Sequence, residues 1–233
     1  MSRLRAVARI LAMLATTAVL YPIWFFARRR RTAIVRRWHA AMARLIGVRV
    51  TIDGEPPGNL VFLVSNHVGY LDIFLLGGVL EVLFIAKSEI RHWPGLGALA
   101  ATTGTIFIDR RSRRDTMRVS SIIESAIRDR HAVALFPEGT TTAGNVTLLP
   151  FKSSLLEVAA LNALPVHAAA IHYSVREAAW NDDELFGLHF WRLLQVPRID
   201  ATLRFGGATV SHDRKELASR LWEEVHGLLT PAG

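Results

Sequence analysis

The chain has 233 residues, of which 51% are hydrophobic, and this suits one domain with a full core. It contains no cysteine, which excludes disulfides, a thiolate nucleophile and a zinc–thiolate site. The formal net charge is +8, yet the first 49 residues hold eleven arginines and no acid, whereas the remainder has 17 basic and 20 acidic residues. The positive charge is therefore a property of the N-terminal segment.

The first hydrophobic segment, Ile10–Ala27, is an uncharged run of 18 residues between Arg9 and Arg28. As a helix it would be about 27 Å long, against about 30 Å for the hydrocarbon core of a bilayer. Its C-terminal end carries aromatic side chains, as membrane interfaces do, and lacks the small residues of a signal-peptide cleavage site. We therefore predict a membrane anchor, which either spans the bilayer or dips in and returns.

The arginines on both sides of this run favour anionic lipid over nucleic acid as their partner. The excess of arginines after residue 27 predicts that this side of the anchor lies at the cytoplasmic face of a cell membrane. In a bacterium this would be the inner membrane. Residues 32–47 have apolar side chains at helical spacing with arginines between them, which predicts an amphipathic helix. Residues 1–47 are accordingly assigned to an N-terminal membrane element, and residues 48–233 to the main domain.

The main domain alternates between strand and helix patterns. Strands are predicted at Val48–Ile52, Leu60–Val64, Val82–Ala86, Thr105–Ile108, Ala132–Phe136, Pro165–Ile171 and 199–205. Helices are predicted to start near Asp72 and to cover residues 114–130, 152–162 and 212–229. This order predicts an α/β fold with a mixed central sheet flanked by helices. The aromatic-rich residues 176–196 favour a core helix, with a second lipid-contacting element as the alternative.

Polar residues follow four of the predicted strands, and the loops after strands of an α/β sheet converge on one crevice. The loops are Asn66–Asp72, Lys87–Glu89, Asp109–Arg111 and Pro137–Thr142. The crevice would contain His67 as a base with Asp72 as its orienting carboxylate. Substrate-binding groups are expected at Asn66, Lys87, Arg110, Glu138, Gly139 and Thr140. This set suits the deprotonation of a hydroxyl beside a bound anionic group.

His67 and Asp72 are five positions apart, a spacing that does not bring side chains together on one continuous helix. They can meet only if His67 lies in the strand-to-helix turn and Asp72 in the first helical turn. The carboxylate would then fix the tautomer and leave the other ring nitrogen free as a base. The alternative is a histidine and an N-terminal aspartate that only cap a helix.

Other reaction classes lack their motifs in this sequence. There is no Gly-x-Ser-x-Gly elbow of a serine hydrolase, and no phosphate-binding glycine pattern of a nucleotide-binding protein. The nine histidines are scattered without metal-ligand spacing, and His167 and His172 are interpreted as strand residues. We therefore expect neither a metal nor a resident cofactor.

Four segments in order resemble the motifs of the glycerolipid acyltransferases, in particular the 1-acylglycerol-3-phosphate acyltransferase family. The first is His67 and Asp72 with four residues between them, and the second is GTIFIDR at residues 104–110. The third is FPEGT at residues 136–140, and the fourth is LPV at residues 164–166. The first motif alone is weak, but all four at family spacing form a strong pattern over residues 60–172.

The resemblance implies that His67 is the general base on an acceptor hydroxyl and that Asp72 orients it. It also implies that Arg110 and Glu138-Gly139 bind the acceptor's head group. The expected acyl donor is a thioester of coenzyme A or acyl carrier protein. The expected product is phosphatidic acid made from 1-acylglycerol-3-phosphate by an acyltransferase domain at residues 48–233, at the cytoplasmic face of a membrane.

Two departures from the family pattern affect the choice of acceptor. Thr141 stands where many members have an arginine, and Ala168 stands where a second proline is common. Residues 136–154 resemble members that acylate other lysolipids, with the lyso-ornithine lipid acyltransferases as the alternative function. More remote alternatives are a lipid or thioester hydrolase that uses His67 to activate water, and a non-catalytic lipid-binding protein.

Overall fold

A computed structural model describes residues 2–27, 30–58, 62–109, 112–129, 131–142, 147–180 and 184–230. Its centre is a seven-stranded sheet in the order β1-β7-β6-β2-β5-β3-β4. The strands are β1 Val48–Asp53, β2 Phe62–Ser65, β3 Val82–Lys87, β4 Ile106–Ile108, β5 Ala132–Leu135, β6 Val166–Tyr173 and β7 Ile199–Thr209. The α-helices are α1 Ser2–Phe26, α2 Arg31–Ile46, α3 Leu71–Val79, α4 Leu96–Thr102, α5 Arg113–Arg128, α6 Glu157–Leu161, α7 Phe186–Leu193 and α8 Arg214–Leu229.

The sheet is mixed, which confirms the predicted fold class. β6 and β7 pair antiparallel, whereas β1 runs parallel to β7 and the other neighbouring strands pair parallel to each other. The carboxyl ends of β2, β3, β4 and β5 therefore lie at one edge of the sheet. This is the edge at which the sequence predicts a crevice.

Two helical layers cover the two faces of the sheet, because neighbouring residues on a strand point to opposite faces. On β2, Leu63 belongs to one core cluster, whereas Phe62 and Val64 belong to the other. Helices α1, α2, α3 and α7 pack on the Leu63 side, and α5, α6 and α8 pack on the opposite side. The two layers are called the hairpin layer and the α5–α6–α8 layer below.

The first two helices form a hairpin that is attached to the main domain. Trp38 of α2 donates from its indole Nε1 to Thr17 Oγ1 of α1 at 2.9 Å, and its ring lies 5.5 Å from that of Trp24. Ala6 is fully buried in the core of the hairpin layer. In the described part of the chain, α1 is the one helix long and apolar enough to cross a membrane, with a mean hydropathy of 1.7 in its best window.

The contact between α2 and α3 depends on two consecutive glycines of α3. A Cβ atom at Gly77 would lie 2.5 Å from Nδ1 of His39, and one at Gly78 would lie 3.0 Å from Cα of Ala40. A side chain at either position would separate the two helices, since glycine alone permits such a close backbone approach.

Several predicted boundaries differ from the structure. A 3₁₀ turn at Ser88–His92 and helix α4 lie between β3 and β4, where no helix was predicted. The predicted helix at 152–162 is a 3₁₀ turn, Ser153–Leu155, followed by the short α6. Residues 60 and 61 of the second predicted strand lie outside the described residues. The division at residue 47 stays a prediction.

Candidate active site

His67 and Asp72 meet in the way that their spacing requires. His67 lies in the turn after β2, and Asp72 is the second residue of α3. Nδ1 of His67 is 2.8 Å from Oδ2 of Asp72. The carboxylate is fully buried, whereas the imidazole is 20% exposed. The pair therefore combines a hidden carboxylate with a ring that substrate can reach.

Asp72 accepts four hydrogen bonds in this buried position. Besides His67, its Oδ2 accepts from the backbone N–H groups of Val68 at 2.7 Å and Gly69 at 3.0 Å. Its Oδ1 accepts from the hydroxyl of Tyr173 at 2.8 Å. All four partners are donors, which matches a carboxylate, a group that only accepts hydrogen bonds.

The Asp72 carboxylate determines which ring nitrogen of His67 carries the proton. The carboxylate can only accept, so Nδ1 carries the proton and donates it. Nε2 then holds the lone pair and can take a proton from a substrate hydroxyl. The geometry is that of a general base with an orienting carboxylate.

Aromatic stacking holds the plane of the imidazole. The His67 ring lies parallel to that of Phe136, with centroids 4.1 Å apart and an interplanar angle of 12°. Phe136 in turn stacks over Phe84 of β3 at 6.3 Å. Both phenylalanines are buried. The His67 ring is therefore fixed by the apolar core as well as by Asp72.

Glu138 ties the backbone around His67 to the loop after β5. Its Oε1 accepts from the N–H of His67 at 2.7 Å, and its Oε2 accepts from the N–H of Leu149 at 2.9 Å. Burial raises the pKa of the Glu138 carboxyl, and the two backbone donors oppose that rise. The carbonyl of the same residue, His67, accepts from the N–H of Thr142 at 2.8 Å. Both the N–H and the carbonyl of His67 are thereby held by the loop after β5.

Asn66 connects β2 to β6. Its Nδ2 donates to the carbonyl of Ile171 at 2.9 Å, and its Oδ1 accepts from the N–H of Ile171 at 2.8 Å. The side chain is 3% exposed. Both Asn66 and Glu138 hold the backbone in this structure, and their predicted contact with substrate stays a prediction.

Three of the four remaining predicted binding residues lie at the same edge of the sheet or close to it. Lys87 ends β3, which is two strands away from β2 and so about 10 Å from it. Gly139 has a φ of 80°, a left-handed backbone that favours glycine, and Thr140 follows it half-buried. Arg110 lies outside the described residues. The roles of all four in substrate binding stay predictions.

Two residues that hold the site were not predicted from the sequence. Tyr173 reaches Asp72 from the end of β6, and Thr142 reaches the His67 carbonyl with both its N–H and its hydroxyl. Thr142 lies two residues after the third motif, in the predicted loop Pro137–Thr142, and could have been found there. Tyr173 is separated from Asp72 by 101 positions, and no local pattern points to it. Among the described residues, no group of three or more His, Asp or Glu side chains could hold a metal ion.

Comparison with known proteins gives the same picture as the geometry. Residues 47–172 match the family model described as Acyltransferase. The chain is 34% identical to the lyso-ornithine lipid O-acyltransferase of Brucella abortus over 96% of this chain and 93% of that protein. It is 32% identical to the 1-acyl-sn-glycerol-3-phosphate acyltransferase of Neisseria gonorrhoeae over 86% of this chain and 82% of that protein.

The fold also matches a solved structure. The 1-acyl-sn-glycerophosphate acyltransferase of Thermotoga maritima superposes with a TM-score of 0.70 at 20% identity, covering 98% of this chain and 96% of that one. The sequence matches extend over most of the chain and confirm the resemblance seen in the four motifs. The chain belongs to the acyltransferase family.

Proposed function

We propose that the protein moves a fatty acyl group from an acyl thioester to the free hydroxyl of a lysolipid. The observation that carries this proposal is the contact of 2.8 Å between His67 Nδ1 and Asp72 Oδ2. That contact directs the basic Nε2 of His67 outward from a fully buried carboxylate. A hydroxyl is the substrate group that such a base activates.

The proposed reaction is a single displacement at the thioester carbonyl. Nε2 of His67 takes the acceptor's proton as the hydroxyl oxygen forms a bond to the carbonyl carbon. The carbon–sulfur bond breaks, and the thiolate leaves with the proton that the imidazolium returns. Asp72 stabilises the imidazolium throughout, because its charge lies against Nδ1. The donor is a thioester of coenzyme A or of acyl carrier protein.

The first candidate acceptor is 1-acylglycerol-3-phosphate, with phosphatidic acid as product. Its support is the set of four motifs and the Neisseria relative, whose name specifies that activity. A phosphate needs a cation, and Arg110 of the second motif is the proposed partner, with Lys87 as a further cation at this edge. Arginine suits this role because its planar guanidinium binds phosphate through two hydrogen bonds.

The second candidate acceptor is a lyso-ornithine lipid. One observation favours it: Thr141, rather than an arginine, follows FPEGT, and its buried hydroxyl has no hydrogen-bond partner within the described part of the chain. One cation of the family pattern is thus missing beside the site. The Brucella relative, which covers more of the chain than the Neisseria one, carries this activity in its name.

We further propose that the enzyme works from the cytoplasmic face of a membrane, with the α1–α2 hairpin held in one leaflet. Arg9 donates to the carbonyls of Leu194 at 3.0 Å, Val196 at 2.6 Å and Pro197 at 2.9 Å. The start of α1 is thereby attached to the main domain, and α2 ends directly before β1. Because both ends of the hairpin are on the domain, re-entry explains the structure better than a span.

The test uses the purified full-length protein with a radiolabelled acyl thioester, supplied on coenzyme A or on acyl carrier protein. Each acceptor is offered separately in mixed micelles, and labelled lipid and free fatty acid are separated by chromatography. The proposal expects label in one acylated acceptor. It expects His67→Ala to lower the rate about 10²- to 10⁴-fold, as is usual when a general base is removed. His212→Ala, at an exposed histidine just before α8 in the opposite layer, serves as the matched control.

Either of two results would contradict the proposal. Release of free fatty acid with no acylated lipid would identify a hydrolase. Full activity of His67→Ala would show that this residue is not the base.

A further inference from the structure

Helix α7 has an inner face in the core and an outer face that exposes leucines. His189 and Leu193 are buried, whereas Leu188 is 61% exposed and Leu185, directly before the helix, is 73% exposed. Leu185 and Leu188 are three positions apart and so lie on one side of the helix. A surface helix of a soluble domain normally has polar residues on that side. The outer face of α7 is defined here as Leu185 and Leu188.

This face lies in the hairpin layer, next to the start of α1. Leu193 and Ala6 belong to the same core cluster, and the carbonyls that bind Arg9 follow directly after α7. Arg5 adds a hydrogen bond of 2.9 Å to the carbonyl of Gln195. The end of α7 is therefore fastened to the helix whose outer side carries exposed apolar residues from Leu4 to Phe26. The two apolar surfaces belong to one layer of the molecule.

The inner face of α7 packs against the turn that carries the catalytic pair. His189 Nε2 donates to the carbonyl of Ala179 at 2.9 Å, which leaves Nδ1 to accept from the Tyr70 hydroxyl at 2.8 Å. The Tyr70 ring also lies 5.0 Å from Phe186 and 5.9 Å from Phe190. Tyr70 is three residues after His67. Helix α7 thus lies between the start of α1 and the turn of the base.

We propose that the outer face of α7 rests on the lipid bilayer as a second membrane contact, separate from the α1–α2 hairpin. The contact is apolar, because Glu184 and Arg192, the charged residues beside the two leucines, form an ion pair with each other. Leucines at helical spacing bind at the boundary between head groups and acyl chains. The bilayer surface would then end beside Tyr70, so that a lysolipid could reach His67 without crossing water. This inference rests on the proposed membrane function.

The absence of native cysteine allows a direct test. Single cysteines are introduced as Leu188→Cys, Phe26→Cys and Leu161→Cys in the full-length chain and labelled with an environment-sensitive fluorophore. Leu161 ends α6 in the opposite layer and is 73% exposed, which makes it a matched control for an exposed leucine. Phe26 ends α1 and is 80% exposed. Vesicles of phosphatidylethanolamine and phosphatidylglycerol are used, with and without a nitroxide quencher in the acyl chains.

The inference expects blue-shifted, quenchable emission from the labels at 188 and 26, and aqueous emission from the label at 161. An aqueous label at 188 with a buried label at 26 would overturn the α7 contact and leave the hairpin standing. Aqueous labels at both positions would overturn the membrane function and the inference together.

A second variant tests the functional consequence. Leu188→Glu places a charge on the proposed contact, so the ratio of activity on vesicles to activity in mixed micelles should fall about tenfold. Leu161→Glu should leave that ratio unchanged. An equal ratio in the two variants would contradict the role of α7 in presenting the acceptor.

Discussion

The hydroxyl of Tyr173 donates to Oδ1 of Asp72 at 2.8 Å, although the two residues are 101 positions apart in the sequence. Burial raises the pKa of the Tyr173 hydroxyl well above its usual range, and the Asp72 carboxylate adds to that rise. The hydroxyl therefore stays protonated and remains a donor. His67 and Tyr173 hold different oxygens of one carboxylate, so the tyrosine positions Asp72 and, through it, His67.

Tyr173→Phe should lower kcat while leaving KM for donor and acceptor nearly unchanged. The variant removes one oxygen and leaves a buried carboxylate with one donor fewer. A hydrogen bond to a charged group is worth about 1.5–3 kcal/mol, which corresponds to roughly 10- to 100-fold in rate. Steady-state kinetics measure the effect. Tyr70→Phe is the matched control, because it loses a hydrogen bond of similar length to His189 but none to Asp72. A kcat like that of wild type would assign Tyr173 a structural role only.

Asp72→Asn should reduce kcat by about 10²–10⁴. The amide has one accepting oxygen in place of two, and its NH₂ group would face donors that the carboxylate now satisfies. It would also favour the wrong tautomer of His67. Asp213→Asn provides the control, because Asp213 caps α8 by accepting from Lys215 and Glu216, and asparagine is an equally good cap. Comparable kcat values for the two variants would contradict the assigned role of Asp72.

Glu138→Gln should destabilise the protein and lower activity together. Only one oxygen of glutamine can accept, so either the N–H of His67 or that of Leu149 loses its partner. An unsatisfied buried donor costs about 1–3 kcal/mol. Thermal unfolding in detergent and kcat are measured beside Glu223→Gln, which changes an exposed glutamate of α8. Unchanged thermal stability would show that the two hydrogen bonds of Glu138 are not needed to hold the loop after β5.

Acidification should weaken the fold through His39. Burial lowers the pKa of this histidine from 6.5 to about 4, with a hydrogen bond to the backbone of Gly77 opposing the shift. The unfolded chain thus takes up a proton below about pH 6.5, whereas the folded protein does so only near pH 4. Stability is complete above that window and falls across it by about 3 kcal/mol.

The measurement for His39 is the thermal midpoint at pH 7 and at pH 5. His39→Phe should show a smaller difference between the two values than wild type does. His92→Phe, at an exposed histidine, should retain the wild-type difference. The same difference in wild type and in His39→Phe would exclude His39 as the source of the loss of stability in acid.

Thr141→Arg distinguishes the two candidate acceptors. The substitution adds a cation beside the site, which should preserve or improve the use of 1-acylglycerol-3-phosphate. It should lower activity on lyso-ornithine lipid, because that acceptor carries an ammonium group. Apparent KM values of wild type and variant on both acceptors give the answer. Equal changes on both would mean that position 141 does not face the head group.

The sequence predicted the seven strands and the convergence of their loops because apolar, β-branched runs and the polar residues after them are local features. The His67–Asp72 contact was predictable for the same reason, since both residues lie in one turn. The support from Tyr173 was not, because β6 joins β2 only through the folded sheet. Helix α4 was missed because it starts directly after Pro94-Gly95, two residues typical of turns, where Gly95 at a φ of 71° redirects the chain.

The close packing of α2 on α3 at Gly77 and Gly78 has a mechanical consequence. α3 carries Asp72 at its start, and α2 belongs to the proposed membrane hairpin. The two glycines bring these helices so close together that a movement of α2 would displace α3 with it. A tilt of the hairpin, imposed for example by a thicker bilayer, would be transmitted directly to the carboxylate behind His67. The thickness of the bilayer would then affect the orientation of His67.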